Sequence, residues 1–125
     1  MATVKGSPVR TLIVDDSDDM RSLVRLLVDL TEGANVVAEA VDGAGAIARW
    51  RELRPDVIVL DQRLPDRSGL DVAEAILGED PSANILIFSA FLDDRALARA
   101  EALGVRECVP KDQVRRLPEL IVGTG

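Results

Sequence analysis

The sequence has no histidine and no tyrosine, one tryptophan, two phenylalanines and one cysteine. Without histidine there is no imidazole base, no usual imidazole zinc site and no Ser-His-Asp hydrolase. The single thiol, Cys108, excludes an internal disulfide and fits a reducing compartment. Aromatic residues are 2% of the chain, too few to sandwich a planar cofactor. Basic residues are outnumbered 15 to 22, and the net charge of −7 attracts neither nucleic acid nor an anionic membrane surface. The apolar runs fall far short of membrane-spanning length. The first residues lack a basic start followed by an apolar stretch, so no signal peptide and a cytoplasmic setting are expected.

What remains is a chain of 125 residues, 47% hydrophobic, enough for one domain with one core. Residues 1–8 read as a flexible lead-in and residues 9–122 as the domain. Apolar runs at Val9–Val14, Val36–Ala40, Asp56–Leu60, Ile85–Phe88 and Glu107–Val109 read as five strands. Between them lie helical patterns. Ser17 caps the first, with Asp18 and Asp19 in its first turn, Met20, Leu23, Val24, Leu27 and Leu30 on its apolar face, and Gly33 closing it. Ala46, Ile47, Trp50 and Leu53 mark the second, stopped before Pro55, with Trp50 facing the core. Leu70, Ala73, Ile76 and Leu77 mark the third, after a loop framed by Pro65 and Gly69. Asp93–Leu103 is the fourth, with Gly104 past its end. A short or truncated last helix starts near Leu117, where Pro118 suits a first turn. Strands alternating with helices predict an α/β fold, a parallel sheet with helices on both faces and right-handed crossovers.

Polar residues close four of the strands. Asp15 and Asp16 follow TLIV, Asp61 follows DVIVL, Ser89 follows NILIF and Lys111 follows RECVP. In an open α/β sheet, ligands bind beyond the carboxyl ends of the strands, where strand order reverses. With order 2-1-3-4-5, the first and third strands are neighbours, and Asp15, Asp16 and Asp61 converge. Three such carboxylates repel, so at least one has its pKa raised unless a hard divalent cation such as Mg²⁺ relieves them. A carboxylate can also attack phosphorus, with an ammonium holding a phosphoryl oxygen. Thirteen of the cations are arginine, and the two lysines are Lys5 in the lead-in and Lys111 at a strand end. Each signal alone has a plainer reading, such as a helix cap for the aspartates or a loop hydrogen bond for Ser89. Their joint occurrence at strand ends does not.

The segments LIVDDSDDMR, EAVDG, DVIVLDQRLPDRSG, LIFSA and VPKD resemble the receiver domain of bacterial two-component response regulators, the chemotaxis-regulator-like family. The resemblance runs from about Val9 to Asp112. It implies a doubly wound (βα)5 flavodoxin-like sandwich with a five-stranded parallel sheet of order 2-1-3-4-5. It implies that Asp61 is the phosphoacceptor. Asp16, Asp61 and the main-chain carbonyl of Arg63 would bind Mg²⁺, and Asp15 would reach it through water. Ser89 and Lys111 would hold the phosphoryl group, and Ala90 would leave the pocket open. The implied partners are a histidine kinase or phosphotransfer protein and an output domain or target. A homodimer through the helix 4, strand 5 and helix 5 face is also implied, with no contact to nucleic acid or membrane.

Two positions depart from that pattern. Cys108 stands where the family usually carries a rotating aromatic side chain, and a thiol is too small to sweep a surface as a ring does. The plainer reading of Cys108 is an inert buried thiol. Asp112 replaces a frequent proline. Arg63 has two readings, a cover over the phosphoryl group or a solvated loop arginine. Phe91 is expected to pack on the fourth helix.

The function expected is a phosphorylation-dependent switch that catalyses only its own phosphoryl transfer and dephosphorylation, and so is not an enzyme on an external substrate. A phosphate-independent pseudo-receiver is the alternative. A haloacid-dehalogenase-type phosphatase would need a second aspartate two residues after Asp61, where Arg63 stands. A small flavodoxin-like cofactor binder would need a glycine-rich loop after the first strand. A stand-alone receiver and the first domain of a longer protein both remain open.

Overall fold

The computed structural model describes residues 6–124. Most of the expected lead-in, residues 1–5, therefore lies outside the described residues, and Gly6 to Pro8 are exposed.

Five strands, β1 (Val9–Val14), β2 (Ala34–Ala40), β3 (Val57–Leu60), β4 (Ile85–Ser89) and β5 (Glu107–Pro110), form one parallel sheet of order β2-β1-β3-β4-β5. Five helices, α1 (Asp18–Asp29), α2 (Gly43–Leu53), α3 (Gly69–Glu79), α4 (Asp94–Leu103) and α5 (Leu117–Val122), join and cover it. The expected strand order is the observed one. Strands β3 and β4 are buried at every residue. That is why they read as unbroken apolar runs and not as alternations.

Side chains alternate across the sheet and supply two cores. Leu12, Val14, Ile58, Leu60, Ile85 and Ile87 meet Ala46, Ile47 and Trp50 of α2 and Leu70, Ala73 and Ile76 of α3. Ile13, Val57, Val59, Leu86, Phe88 and Val109 meet Val24 and Val28 of α1 and Leu117 and Ile121 of α5. Trp50 is 2% exposed, core-facing as expected. Burial of an aliphatic or aromatic side chain contributes about 1.5–3 kcal/mol, and these two layers hold most of the large ones.

Helix starts follow the capping chemistry. Ser17, Asp42, Ser68 and Asp93 each accept a main-chain N–H of the first turn of α1, α2, α3 and α4. Ends are less regular. Helix α1 stops at Asp29 with Leu30 as its cap, before Gly33. Gly33 instead sits at positive φ in the turn, where its carbonyl accepts from the Val9 N–H that opens β1. Helix α4 ends as expected on Gly104 at φ 95°. Between β5 and α5, residues Lys111–Arg116 form 3-10 turns kinked at Gln113, which the weak sequence pattern did not reveal. Among the described residues, no helix is long and apolar enough to cross a membrane.

Candidate functional site

Strands β1 and β3 pair through Val14 and Leu60 at their last residues. The residues that follow, Asp15 and Asp61, therefore leave the sheet side by side at the point where strand order reverses. The main chain holds them there. The Asp15 N–H donates to the Ala40 carbonyl at 3.1 Å and the Asp61 N–H to the Val14 carbonyl at 2.9 Å. On the other side of β3, β4 pairs with β5 through Ser89 and Pro110, so Lys111 also emerges at this edge.

One carboxylate oxygen from each of Asp15, Asp16 and Asp61 lies within 4.8 Å of the others. Asp15 and Asp61 are buried and Asp16 is exposed, so the cluster opens to solvent on one side. The Lys111 ammonium donates to Asp15 Oδ2 at 2.8 Å and to Asp61 Oδ2 at 3.3 Å. Asp15 Oδ1 accepts the Ser17 N–H at 2.9 Å, and the Asp15 carbonyl accepts from Arg21 Nη1 at 2.8 Å.

Burial pushes the Asp61 carboxyl above the usual carboxylate range, and the Asp15 charge adds to the rise. Lys111 and the Arg63 N–H oppose that rise without cancelling it. Charge repulsion between Asp15 and Asp61 is thus present with Lys111 in place. Burial lowers the Lys111 ammonium pKa, but hydrogen bonds and charge from Asp15 and Asp61 outweigh it and hold it above its ordinary value. An all-oxygen anionic donor set, partly open and carrying unrelieved repulsion, fits a hard divalent cation.

The loop from β3 to α3 is clamped in three ways. The Gly69 N–H donates to the Gln62 carbonyl at 2.8 Å, and Gln62 Oε1 accepts the Leu70 N–H at 2.9 Å. A Cβ on Gly69 would stand 2.2 Å from the Asp61 carbonyl oxygen, so only glycine permits this approach. Asp66 spans to the start of α2, accepting the Gly43 N–H at 2.7 Å and the Ala44 N–H at 2.9 Å. Those two bonds hold its carboxyl below the usual range. Asp66 was missed in the sequence. Its partners are 23 and 22 residues away, and no local spacing marks such a pair.

Ser89 is buried, and its hydroxyl donates to the Phe91 carbonyl at 3.5 Å. Arg63 is exposed and pairs with Ser68 in a short antiparallel bridge. Cys108 is half-buried against the α2–α3–α4 core, and burial followed by the Glu107 charge pushes its thiol up. That is the environment of an unreactive thiol. One expectation fails. Phe91 does not pack on α4 but stands 77% exposed, because α4 buries only Ala100 fully and offers little cover.

The family model for the response regulator receiver domain matches residues 11–121. The "Probable transcriptional regulatory protein TcrX" of Mycobacterium tuberculosis is 42% identical over 90 residues, which are 72% of this chain and 38% of that protein. The chemotaxis protein CheY of Thermotoga maritima is 31% identical over 102 residues, 82% of this chain and 84% of that protein. The chain thus spans little more than a third of one relative and most of the other. The crystal structure of a LuxR-family two-component response regulator from an Aurantimonas species superposes with a TM-score of 0.83 at 31% identity, covering 94% of this chain and 87% of that one. With this sheet order and this acidic edge, the chain belongs to the response regulator receiver domains of two-component signalling.

Proposed function

We propose that the chain is a phosphorylation-dependent switch in which Asp61 accepts a phosphoryl group from a histidine kinase or phosphotransfer protein. The observation that carries this reading is the convergence of the Asp15, Asp16 and Asp61 carboxylates within 4.8 Å, beside the Lys111 ammonium. Asp61 attacks phosphorus, the P–N bond of the donor phosphohistidine breaks, and its electron pair leaves with the imidazole. Asp16, Asp61 and the Arg63 carbonyl would hold Mg²⁺, with Asp15 assisting through water, and the ion would supply charge neutralisation for the transferring group. Lys111 moves from its carboxylate partners to a phosphoryl oxygen, Ser89 donates its hydroxyl to another, and Ala90 leaves room for them. To the Arg63 side chain, which is exposed, we assign the shielding of the product from water.

The output is a change of the face formed by α4, β5 and α5. Support comes from the weak seating of α4, which buries one residue fully and is tied to α3 through Arg99 with Asp71 and Glu74. We assign to this face the contact with a target, an output domain or a second copy. The domain works in the cytoplasm and catalyses only its own phosphoryl transfer and loss.

The test is intact mass after incubation with Mg²⁺ and acetyl phosphate, for the wild type and Asp61→Asn. One phosphoryl adduct, lost in the variant and on chelation, is expected. No adduct under any donor, with no Mg²⁺ binding, would replace this reading by a phosphate-independent interaction module.

A further inference from the structure

Beside the acidic edge, on the α4 and β5 side, lies an apolar recess of about 250 Å³. It is lined by Ala90, Phe91, Leu92, Leu97, Cys108 and Pro110, with Ser89 at its inner end. Of the two β5 residues that line it, Cys108 is small and leaves space beside Pro110. An apolar cavity of about 150 Å³ holds a benzene molecule, so a phenyl ring fits here. At its rim stands Phe91, the only aromatic residue in the segment joining β4 to α4 and 77% exposed. The Phe91 carbonyl accepts the Ser89 hydroxyl at 3.5 Å, a long and weak bond.

We propose that Phe91 is the moving aromatic of this switch, and that its ring closes into the recess beside Cys108 when Ser89 turns toward Asp61. The inference rests on the proposed phosphorylation of Asp61. A hydroxyl donates one hydrogen at a time. Ser89 cannot donate both to a phosphoryl oxygen and to the Phe91 carbonyl, so phosphorylation removes this bond from the segment that carries the ring. An exposed phenyl beside an empty apolar recess then has a hydrophobic reason to enter it. The closing residue lies on the same segment as the serine, two positions on, so no sweep of a β5 side chain is required. Ring closure covers Leu97 and removes an exposed aromatic from the α4 and β5 surface, which gives a partner a changed face to read.

The chain has two phenylalanines, Phe88 buried and Phe91 exposed, so fluorophenylalanine labelling yields two resolvable ¹⁹F signals. The solvent isotope shift of each is read with and without Mg²⁺ and acetyl phosphate, while intact mass records the adduct on the same sample. The Phe91 signal is expected to lose most of its isotope shift on phosphorylation, with Phe88 unchanged. Ser89→Ala, which lacks the holding bond, is expected to show a reduced Phe91 shift without phosphate. Cys108→Leu, which fills the recess, is expected to keep Phe91 exposed in the phosphorylated protein. An adduct with Phe91 still fully exposed overturns the proposal and leaves Asp61 phosphorylation standing. Absence of any adduct overturns both. Burial of Phe91 in phosphorylated Cys108→Leu overturns the recess as its destination.

Discussion

Lys111 carries two carboxylates on one ammonium, at 2.8 Å and 3.3 Å, in a setting where the lysine side chain is 19% exposed. Removing it leaves two buried acids unpaired, which is more costly than losing a surface ion pair. Lys111→Met is expected to lower stability at neutral pH by about 2 kcal/mol, read by urea denaturation. Added Mg²⁺ neutralises the same acids, so it should recover more stability in the variant than in the wild type. Equal gains would mean that the loss lies in packing. Asp61 works in the opposite sense. Its carboxyl is raised, so the folded chain holds that proton more tightly than the unfolded chain does. Its contribution is complete below the ordinary carboxylate range and is lost as pH rises through the raised value. Asp61→Asn is therefore expected to be more stable than the wild type at neutral pH without divalent ions, read by urea denaturation. The difference should vanish in acid below the ordinary carboxylate range. A gain that persists there would point to something other than the charge.

Two contacts between elements set where Asp61 sits. Helix α3 begins so close to β3 that a methyl group on Gly69 collides with the Asp61 carbonyl. Gly69→Ala must push apart main chain and main chain, which has no flexible side-chain end to yield. A loss of about 3 kcal/mol is expected by denaturation, together with weaker Mg²⁺ binding by titration calorimetry. Asp66 joins the same loop to α2 by two main-chain bonds at the helix start. Asp66→Ala is expected to cost about 1 kcal/mol, as other lost caps do. Its effect on Mg²⁺ affinity should be smaller than that of Gly69→Ala, because Asp66 contacts α2 and not Asp61. Helix α4 contrasts with both, holding on through one fully buried alanine, the partly buried Ala96 and Leu103, and an arginine on two acids. Such an element belongs to the low-stability end of a fold, where switching parts are drawn from.

At the scale of the whole molecule, a five-stranded sheet between two helical layers keeps the strands rigid and gathers their carboxyl ends at one edge. Three of the chain's 22 acids lie within 4.8 Å of one another there, so cation binding and folding are linked. Mg²⁺ at about 100 times its dissociation constant is expected to add about 2.7 kcal/mol to the folded state. Scanning calorimetry should show Tm rising with Mg²⁺ in the wild type and flat in Asp16→Asn. Lowering the pH through the raised Asp61 value should weaken the effect, because a protonated carboxyl is a poor ligand. A Tm that rises equally in both proteins would indicate screening of general charge.

The order of elements, the Ser17 cap and the strand ends at Asp15, Asp61 and Ser89 were legible in the sequence because they obey local rules. Buried parallel strands read as apolar runs, and a capping side chain sits within three residues of the N–H it accepts. Those same rules identified the residues that meet at the acidic edge. They could not show that Lys111 already rests on Asp15, 96 residues away, nor that Asp66 caps α2 from another loop. Nor could they show the 3-10 turns after β5, where the apolar pattern is too thin to declare a period. Phe91 states the limit most directly. An aromatic beside a helix is expected to pack on it, yet the ring is exposed beside a recess that Cys108, on another strand, helps to line. Local chemistry determines which element a residue belongs to, whereas cavities and long-range ion pairs depend on where distant elements come to rest, and only the tertiary structure decides that.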